Sequence, residues 1–480
     1  MRECKALLLA ALDAYAAPDE ARLDAALAAE LARMTQKIVV LDDDPTGVQT
    51  VHGVSVYTNW TVEALRRGFA EENRMFFVLT NSRGFTAPQT EEVHREIMEN
   101  LALVARETGK DFILVSRSDS TLRGHYPLET ETLRKAYERL TGNEIDGEIL
   151  CPFFQEGGRY TLGNVHYVKE GERLVPAGQT EFAKDKTFGY VASDLREWCE
   201  EKTGGAYRAA DVVSIGLDEL RGLAVDAIEA KLRSARQFQK IVVNAIGYAD
   251  VKAFAVAFYR AVQGGRRFML RSAAAVTKVL GGVSDRPLLS PEELVGSETE
   301  AGGVVLVGSH VKKTTEQLAA LRRAALPLSF MEFDAHLVRQ PGGLAGEVER
   351  VVAWLEGELR AGRSAVVYTS RKLLQLDTND KDEILRASVA ISDAVTSVIA
   401  RLGVRPRFLV AKGGITSSDV GTKALRVERA EVLGQIRPGI PVWKTGPESK
   451  FPGLSYVIFP GNVGEAETLR EVVEILLRKS

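Results

Sequence analysis

The chain has 480 residues, enough for two to three domains of about 150 residues that each bury a core. Its 62 basic and 65 acidic residues leave a formal net charge of −3, which gives no reason to expect nucleic acid or an anionic membrane as a partner. No apolar run approaches the roughly 20 residues that span a bilayer. The 3 cysteines lie far apart, which excludes a disulfide framework and a cysteine zinc site. These properties predict a cytoplasmic globular protein and favour an enzyme.

The first 285 residues alternate between apolar runs and helical stretches. Residues 1–35 carry acidic side chains throughout, so we expect an amphipathic helical extension, broken near Pro18, rather than a signal peptide. Its apolar face could serve a homodimer or pack on its own domain. Apolar runs that end in polar clusters follow, with helical stretches such as 88–108 and 127–141 between them. The runs are at 37–41, 75–79, 111–115, 147–150 and 240–243. Short, continuously apolar strands between helices indicate a parallel sheet covered on both faces.

The same alternation restarts after a stretch rich in Gly, Pro, Ser and charge at 281–302, which is predicted to be a linker. Apolar runs at 303–307, 365–368 and 407–410 lead into polar turns, and helices are predicted from Thr314 and over 383–402.

The sequence thus predicts an α/β fold with two domains, each a mainly parallel sheet flanked by helices. We place the helical extension at 1–35, the first domain at 36–285 and the second at 300–480. Ligands of such sheets bind outside the carboxyl ends of the strands, where the polar clusters lie. The active site is expected in the cleft between the domains.

Three adjacent aspartates, Asp42, Asp43 and Asp44, give the sharpest local signal. Adjacent carboxylates repel one another, so a purely structural role would be costly without cations or hydroxyls to bind. Pro45 and Gly47 indicate a tight turn that points these side chains out of the strand end. Capping of the next helix would explain only a single carboxylate. We therefore predict a functional role for the cluster.

Two further clusters, at 81–84 and 118–125, combine Ser, Thr and Asp with Arg83 and Arg123. Asp, Ser and Thr exchange hydrogen bonds with sugar hydroxyls, and an arginine matches a carboxylate or phosphate bidentately. The structural alternative is helix capping plus an Arg–Asp pair. Cys151, beside a proline, is interpreted as a small buried residue because no His–Asn partner pattern accompanies it.

Glycine turns are spread over the second domain, at 308–309, 413–416, 438–439 and 461–464. Each follows an apolar run, where free backbone N–H groups can cradle phosphates. The P-loop GxxxxGK[ST], the GxGxxG fingerprint and the protein-kinase motifs are missing from the sequence. The pattern favours an anion or nucleotide site of another type.

Taken together, these clusters resemble the four-carbon acid sugar kinase family. The family's DDxTG motif matches residues 43–47, SDSTxRG matches 118–124 and GGxTS matches 413–417. Its PGxP and GNxG motifs match 438–441 and 461–464. The motifs keep their order and span nearly the whole chain. Asp42, Pro45 and a long 153–190 region depart from the common pattern, and all lie in the substrate half.

The resemblance implies a substrate domain followed by an ATP-binding domain, and Mg²⁺-dependent phosphorylation of a hydroxyl on a short sugar acid. Family substrates include threonate, erythronate, their 3-oxo forms and branched relatives such as 3-oxo-isoapionate. Asp43 and Asp44 would be the catalytic carboxylates, holding substrate hydroxyls, and one of them would accept the proton of the attacking hydroxyl. The substrate-binding residues would be Arg83, Asp119, Ser120 and Arg123, of which Arg83 and Arg123 would bind the substrate carboxylate and Asp119 another hydroxyl. The ATP site would be lined by Ser309, Gly413, Gly414, Ile415, Thr416, Gly461, Asn462, Val463 and Gly464. No metal ligand is assigned.

Two alternatives remain open at this stage. In a haloacid-dehalogenase-type phosphatase, Asp42 and Asp44 with Thr46 would fit the DxDxT motif, and Asp42 would form an aspartyl-phosphate without ATP. In a sugar-acid sensor, the same residues would bind a ligand without turnover.

Overall fold

The computed structural model describes residues 4–295, 299–372, 381–461 and 463–478. Its strands in chain order are β1 (Leu7–Leu8), β2 (Lys37–Asp42), β3 (Ser55–Tyr57), β4 (Met75–Leu79), β5 (Phe112–Arg117), β6 (Gly147–Cys151), β7 (Arg159–Leu162), β8 (Val165–Glu170), β9 (Arg173–Pro176), β10 (Val213–Ile215), β11 (Gln239–Val243), β12 (Phe268–Ser272), β13 (Val304–Val307), β14 (Leu328–Phe333), β15 (Ser364–Thr369), β16 (Leu409–Lys412), β17 (Arg429–Arg437), β18 (Ile440–Thr445) and β19 (Ser455–Phe459). Its α-helices are α1 (Glu20–Arg33), α2 (Val62–Ala70), α3 (Ala87–Thr108), α4 (Leu128–Thr141), α5 (Leu195–Lys202), α6 (Leu217–Arg221), α7 (Val225–Ser234), α8 (Tyr248–Gln263), α9 (Ala274–Gly281), α10 (Pro291–Leu294), α11 (Lys312–Arg323), α12 (Gly343–Arg360), α13 (Lys381–Arg401), α14 (Gly414–Asp419) and α15 (Thr468–Leu477).

The chain folds into two units. The first contains Met1–Val51 and Asn59–Asp285, and the second contains His52–Thr58 and Arg286–Ser480. None of the helices that the structure describes is long and apolar enough to cross a membrane.

The first unit is built on a sheet of parallel strands in the order β10-β11-β6-β12-β5-β2-β4. The apolar runs predicted in this half of the chain are all strands of this sheet. Every residue of β2, β4 and β6 is buried, as expected for strands covered on both faces. The predicted α/β fold class is therefore confirmed, and the carboxyl ends of β5 and β2 lie side by side.

The predicted helical extension is wrong for the residues that precede Pro18. Leu7–Leu8 is a short strand that pairs antiparallel with β9, and Leu9–Ala14 is a 3₁₀ helix. Helix α1 forms as expected and packs on α8 of its own unit. Leu23 is buried in that contact, and Glu30 accepts a hydrogen bond from Arg260 Nε at 2.9 Å.

A second, antiparallel sheet lies within the first unit in the order β1-β9-β8-β7. Most of it comes from the 153–190 region that is long for the family pattern. Its strand β7 brings Arg159 to the polar clusters described below.

The second unit has a mixed sheet. Strands β14-β15-β13-β16-β19 are parallel and include the runs predicted in this half, whereas β18, β17 and β3 are antiparallel. Pro438-Gly439 is the turn of the β17–β18 hairpin. This turn therefore joins two antiparallel strands, unlike the predicted glycine turns at 308–309, 413–416 and 461–464.

Part of the predicted linker is folded. Leu289 and Leu294 are buried in the core of the second unit, together with residues such as Val442 and Phe459. The Ser290 and Glu293 side chains form a capping box that begins α10.

Candidate active site

The aspartate cluster lies at the carboxyl end of β2, and a neighbouring strand brings an arginine to it. Asp42 is paired in register with Arg117, the last residue of β5. Arg117 Nη1 lies 2.9 Å from Asp42 Oδ1, 3.4 Å from Asp43 Oδ1 and 3.1 Å from Asp44 Oδ1. One buried guanidinium therefore offsets the repulsion among the three carboxylates. Sequence reasoning missed Arg117, although the parallel register of two predicted strands could have indicated it.

Arg83 contacts the same cluster from the turn after β4. Its Nε donates to Asp43 Oδ2 at 3.1 Å and its Nη2 donates to Asp43 Oδ1 at 2.6 Å. Its Nη1 lies 2.6 Å from Asp44 Oδ2. Arg83 thus engages two of the catalytic candidates directly.

The three aspartates differ strongly in acidity. Burial raises the pKa of Asp42 to about 8, more than Arg117 lowers it. Burial also raises the pKa of Asp43 to about 6 against the opposing charge of Arg83. Burial acts on Asp44 as well, but Arg83, Arg117 and hydrogen bonds from Thr46 lower its pKa to about 2. At neutral pH the cluster therefore combines one largely protonated carboxyl with a carboxylate that titrates near neutrality.

The 118–125 loop follows β5 and forms a second cluster. Asp119 accepts hydrogen bonds from Arg123 Nε at 2.7 Å and from Thr121 Oγ1. Although burial opposes it, the charges of Arg83 and Arg123 hold the pKa of Asp119 well below its usual range. The backbone carbonyl of Ser120 accepts a hydrogen bond from His166 Nε2 at 2.8 Å, which fixes the loop.

Arg271, near the carboxyl end of β12, holds this loop through hydrogen bonds. Its Nη2 donates to the carbonyl of Arg123 at 3.1 Å and its Nη1 to Glu129 Oε2 at 3.3 Å. Glu129 also accepts a hydrogen bond from Ser82 Oγ at 2.6 Å, so the Arg271–Glu129 pair links the loops after β4 and β5. Arg271 is a second residue that sequence reasoning missed, because β12 itself was not predicted.

In the second unit, the loops after β13, β16 and β19 come together. A Cβ on Gly308 would lie 2.1 Å from Thr416 Oγ1, and a Cβ on Gly413 would lie 3.0 Å from that of Ser309. Gly413 has a φ of 128°, which side chains rarely adopt. A Cβ on Gly461 would approach Ser309 Oγ to 3.3 Å. These glycines permit close backbone approach, as in phosphate-binding loops.

Helix α11 holds two of these loops together. Thr314 Oγ1 donates to Ser309 Oγ and to the carbonyl of Gly461, each at 3.3 Å. Gln317 Nε2 donates to the carbonyl of Val463 at 3.1 Å. Gly464 has a φ of 82°, and Asn462 lies outside the described residues.

The start of α14 contributes Gly414 and Ile415. A Cβ on Gly414 would meet no atom within 4 Å, and the Ile415 side chain is 74% exposed. The predicted ATP-site residues that the structure describes therefore lie on three neighbouring loops and the first residues of one helix.

Lys412, the last residue of β16, is a third residue that sequence reasoning did not single out. It is fully buried, and its Nζ donates to the carbonyls of Pro460 at 2.5 Å and Gly461 at 3.1 Å. No carboxylate among the described residues forms an ion pair with it. Burial, with a smaller effect from Lys313, lowers the pKa of Lys412 to about 7.

Comparison with known proteins identifies the chain. The family described as "Sugar-binding N-terminal domain" matches residues 38–280, and "Nucleotide-binding C-terminal domain" matches residues 304–469. A 3-oxo-tetronate kinase from Brucella melitensis is 26% identical over 358 residues, which are 74% of this chain and 75% of that protein. The chain belongs to the four-carbon acid sugar kinase family. It is thus a kinase, and the expected enzyme class is confirmed.

Solved structures agree with this kinase in fold. Haemophilus influenzae protein HI1011 has a TM-score of 0.59 at 16% identity, covering 92% of this chain and 100% of its own. A protein from Salmonella typhimurium LT2 has a TM-score of 0.62 at 16% identity, covering 91% of this chain and 98% of its own. At these identities the likeness shows the fold alone.

The phosphatase alternative finds no support in this kinase. Asp42 is 1% exposed, and a Cβ on Gly47 would lie 1.9 Å from Asp42 Oδ2, so the turn packs directly on that carboxyl group. A pKa of about 8 also leaves Asp42 mostly protonated and therefore a poor nucleophile at neutral pH. Cys151 is fully buried with its pKa raised by burial to about 12, which agrees with its interpretation as a structural residue.

A dedicated metal site does not fit the aspartate cluster well. Among the described residues, Asp42, Asp43 and Asp44 form one group whose carboxylate oxygens lie within 4.8 Å of one another. Their oxygens already face the guanidinium groups of Arg83 and Arg117 at 2.6 to 3.4 Å. Mg²⁺ keeps several waters and binds largely through phosphates in kinases. We therefore assign none of these three aspartates as a ligand of Mg²⁺.

Proposed function

We propose that the protein transfers the terminal phosphoryl group of ATP to a hydroxyl of a short-chain acid sugar. The acceptor would be a four-carbon aldonate, a 3-oxo-tetronate or a branched relative such as 3-oxo-isoapionate. The observation that carries this proposal is the match to a 3-oxo-tetronate kinase along three quarters of both chains. The two polar clusters of the first unit supply the hydrogen-bonding groups that such a substrate requires.

Asp43 is our candidate for the general base. Its pKa of about 6 suits proton transfer near neutral pH better than the pKa of Asp44, which is about 2. Arg83 and Arg117 hold its carboxylate in place through the contacts described above. Asp44, the most exposed of the three aspartates, would accept a hydrogen bond from a second substrate hydroxyl.

The remaining predicted substrate residues lie on the loop after β5. Asp119 and Ser120 would contact hydroxyl groups, and Arg123 would bind the carboxylate. Arg83 would contribute a positive charge while it orients Asp43 and Asp44.

The glycine loops of the second unit would bind ATP. Backbone N–H groups of residues 413–416 and 461–464 would cradle the phosphates, with Ser309 at their meeting point. ATP supplies the phosphoryl group, and Mg²⁺ bound to its phosphates would neutralise charge. Phosphoryl transfer needs alignment and charge stabilisation more than covalent chemistry from the protein.

The direct test is ADP release from Mg·ATP with a panel of threonates, erythronates, 3-oxo-tetronates and 3-oxo-isoapionate. ADP formation that depends on one acid sugar is expected. A parallel assay with sugar phosphates and no ATP measures phosphate release. Phosphate release in that assay, without any ADP signal from the panel, would overturn the proposal.

A further inference from the structure

Arg159, the first residue of β7, carries a positive charge that no carboxylate pairs directly within the part of the chain that the structure describes, although Asp119 is near enough to influence it. Its Nε atom is buried and has no hydrogen-bond partner. No carboxylate lies within ion-pair distance of it among the residues that the structure describes. Burial lowers the pKa of its guanidinium, against the weaker influence of Asp119. The residue as a whole is partly buried, and a guanidinium with a buried, unsatisfied Nε is in an arrangement that an anion would stabilise.

A second arginine shares its aromatic neighbour. The Arg159 guanidinium lies 5.5 Å from the ring centre of Phe182, and that of Arg123 lies 5.1 Å from the same ring. A guanidinium that lies against an aromatic face can still donate hydrogen bonds from its planar edge. Asp119 is near both groups, since it is ion-paired with Arg123 and its charge acts on Arg159.

The acidic groups nearby do not compensate two arginines. Asp119 is engaged by Arg123 Nε at 2.7 Å, and Asp185 Oδ2 lies 3.9 Å from Arg123 Nη1. Tyr190 is uncharged at neutral pH because burial raises its pKa, and its hydroxyl donates to the carbonyl of Thr121. His166 is neutral as well, since burial lowers its pKa to about 4. The negative charges near the two arginines are therefore taken up by Arg123, and the charge of Arg159 is not compensated.

Arg83, the other predicted substrate-binding arginine, has a different environment. Arg83 already donates to both oxygens of Asp43 and contacts Asp44, so most of its donors are in use. Arg159 has no such partner among the residues that the structure describes. A ligand carboxylate gains more from an arginine whose donors are unoccupied, because no existing pair must be broken.

We propose that Arg159, together with Arg123, forms the subsite for the carboxylate group of the acid sugar, so that Arg159 selects an acid over a neutral sugar. This inference rests on the proposed function. The same guanidinium pair could instead receive a phosphate group. If the pair binds the acid sugar, Arg159 controls the KM for the acid, and if it binds a phosphate, Arg159 controls the KM for ATP.

The test compares wild type with Arg159→Gln in binding and turnover of the four-carbon aldonates and of their neutral primary amides. We expect Arg159→Gln to raise the Kd and KM of the acid roughly 10²-fold, the effect of losing a charge-assisted pair. The KM for ATP should be unchanged, and the preference for the acid over its amide should largely disappear. Arg159→Lys keeps a charge but not the planar fork, so an intermediate KM is expected.

Arg134→Gln is a matched control. Arg134 also stacks on a phenylalanine, with its guanidinium 5.1 Å from the ring centre of Phe238, but it is paired with Glu131 and Glu138. Its replacement should leave the acid preference unchanged. Thermal melting of all variants separates a binding defect from unfolding.

Two results would overturn the inference. Unchanged discrimination in a folded Arg159→Gln or Arg159→Lys variant would remove Arg159 from substrate selection, and a raised KM for ATP alone would assign it to phosphate. A wild-type protein that neither binds nor phosphorylates any of these acids would instead overturn the proposed function, and this subsite with it.

Discussion

The two candidate binding regions use opposite chemical means. The clusters of the first unit consist of buried, charged side chains that are paired with one another. Those of the second unit consist of backbone loops in which glycines allow close approach, with one buried lysine. Hydroxyls and a carboxylate are recognised by side chains with defined directions, whereas phosphates are held well by backbone N–H groups. The first region should therefore be sensitive to changes of charge, and the second to changes of volume and backbone freedom.

The largest effect is expected for Asp43→Asn, which keeps the shape of the side chain and removes its charge. If Asp43 is the general base, kcat should fall by about 10²-fold or more. The KM for ATP should change little, because the substitution leaves the glycine loops untouched. Steady-state kinetics with the acid sugar from the panel would measure both.

Asp42→Asn is the matched control for this experiment, one residue away in the same buried cluster. Its turnover should stay near that of wild type. Normal turnover in Asp43→Asn would remove Asp43 from the role of base, and a large loss in Asp42→Asn alone would reopen the nucleophile interpretation.

The second region should respond most strongly to Gly413→Ala. A methyl group there would lie 3.0 Å from Ser309 Cβ and 3.2 Å from Thr416 Oγ1, at a φ of 128° that alanine adopts only with strain. We expect the KM for ATP to rise about 10-fold, with a lower melting temperature, while the acid-sugar KM changes little.

Gly346→Ala, in helix α12, tests whether added volume in this unit is harmful by itself. A Cβ at Gly346 would meet no atom within 4 Å, so the variant should be as stable as wild type or slightly more so. Equal increases of the KM for ATP in both variants would contradict a specific role of the Gly413 loop.

The sequence predicts the two regions unequally. In the first unit, the aspartates, Arg83 and Asp119 could be found because polar residues directly after apolar strands share one edge of a parallel sheet. Arg271 could not be found, because β12 was not recognised as a strand. Arg266 and Arg267 precede its apolar residues and Arg271 lies within it, so the apolar run is too short to predict a buried strand. Leu7–Leu8 reads locally as helix, and only its pairing with β9 makes it a strand.

In the second unit, the glycine loops could be predicted as turns, but not which of them meet. Residues 438–439 have the same composition as the others, yet they close a hairpin because their flanking strands are antiparallel. Lys412 gave no signal, since a lysine at a strand end is usually solvated. Only the three-dimensional structure shows that its ammonium group is buried against two carbonyls.

A smaller effect is expected from Lys412→Met, read from the pH dependence of stability. The pKa of Lys412 is lowered to about 7 from an unfolded value of about 10.5. The folded protein then binds fewer protons than the unfolded chain between these values, so this lysine costs stability as pH falls from about 10.5 to about 7. Thermal melts at pH 7 to 9.5 should show wild type gaining stability relative to Lys412→Met as pH rises.

Lys423→Met is the control, because Lys423 is exposed and ion-paired with Asp393 and Asp419, and its pKa is raised. It should give no such gain between pH 7 and 9.5. A difference in melting temperature between wild type and Lys412→Met that stays constant with pH would contradict the interpretation of Lys412 as a buried, uncompensated ammonium group.

The pH profile of Asp42→Asn should show an effect of comparable size and opposite sign. Burial raises the pKa of Asp42 to about 8 from an unfolded value of about 3.9, so the folded protein binds more protons than the unfolded chain between these values. Wild type should therefore lose stability relative to Asp42→Asn as pH rises from 5 to 8, with a constant gap above that. Asp44→Asn should show no change over this range, because the pKa of Asp44 is lowered to about 2. The quantity to compare is the stability of wild type relative to each variant, plotted against pH. Opposite slopes for Asp42→Asn and Lys412→Met would show that one buried group in each region causes its pH dependence. Equal slopes would indicate that another ionisation, shared by both comparisons, dominates.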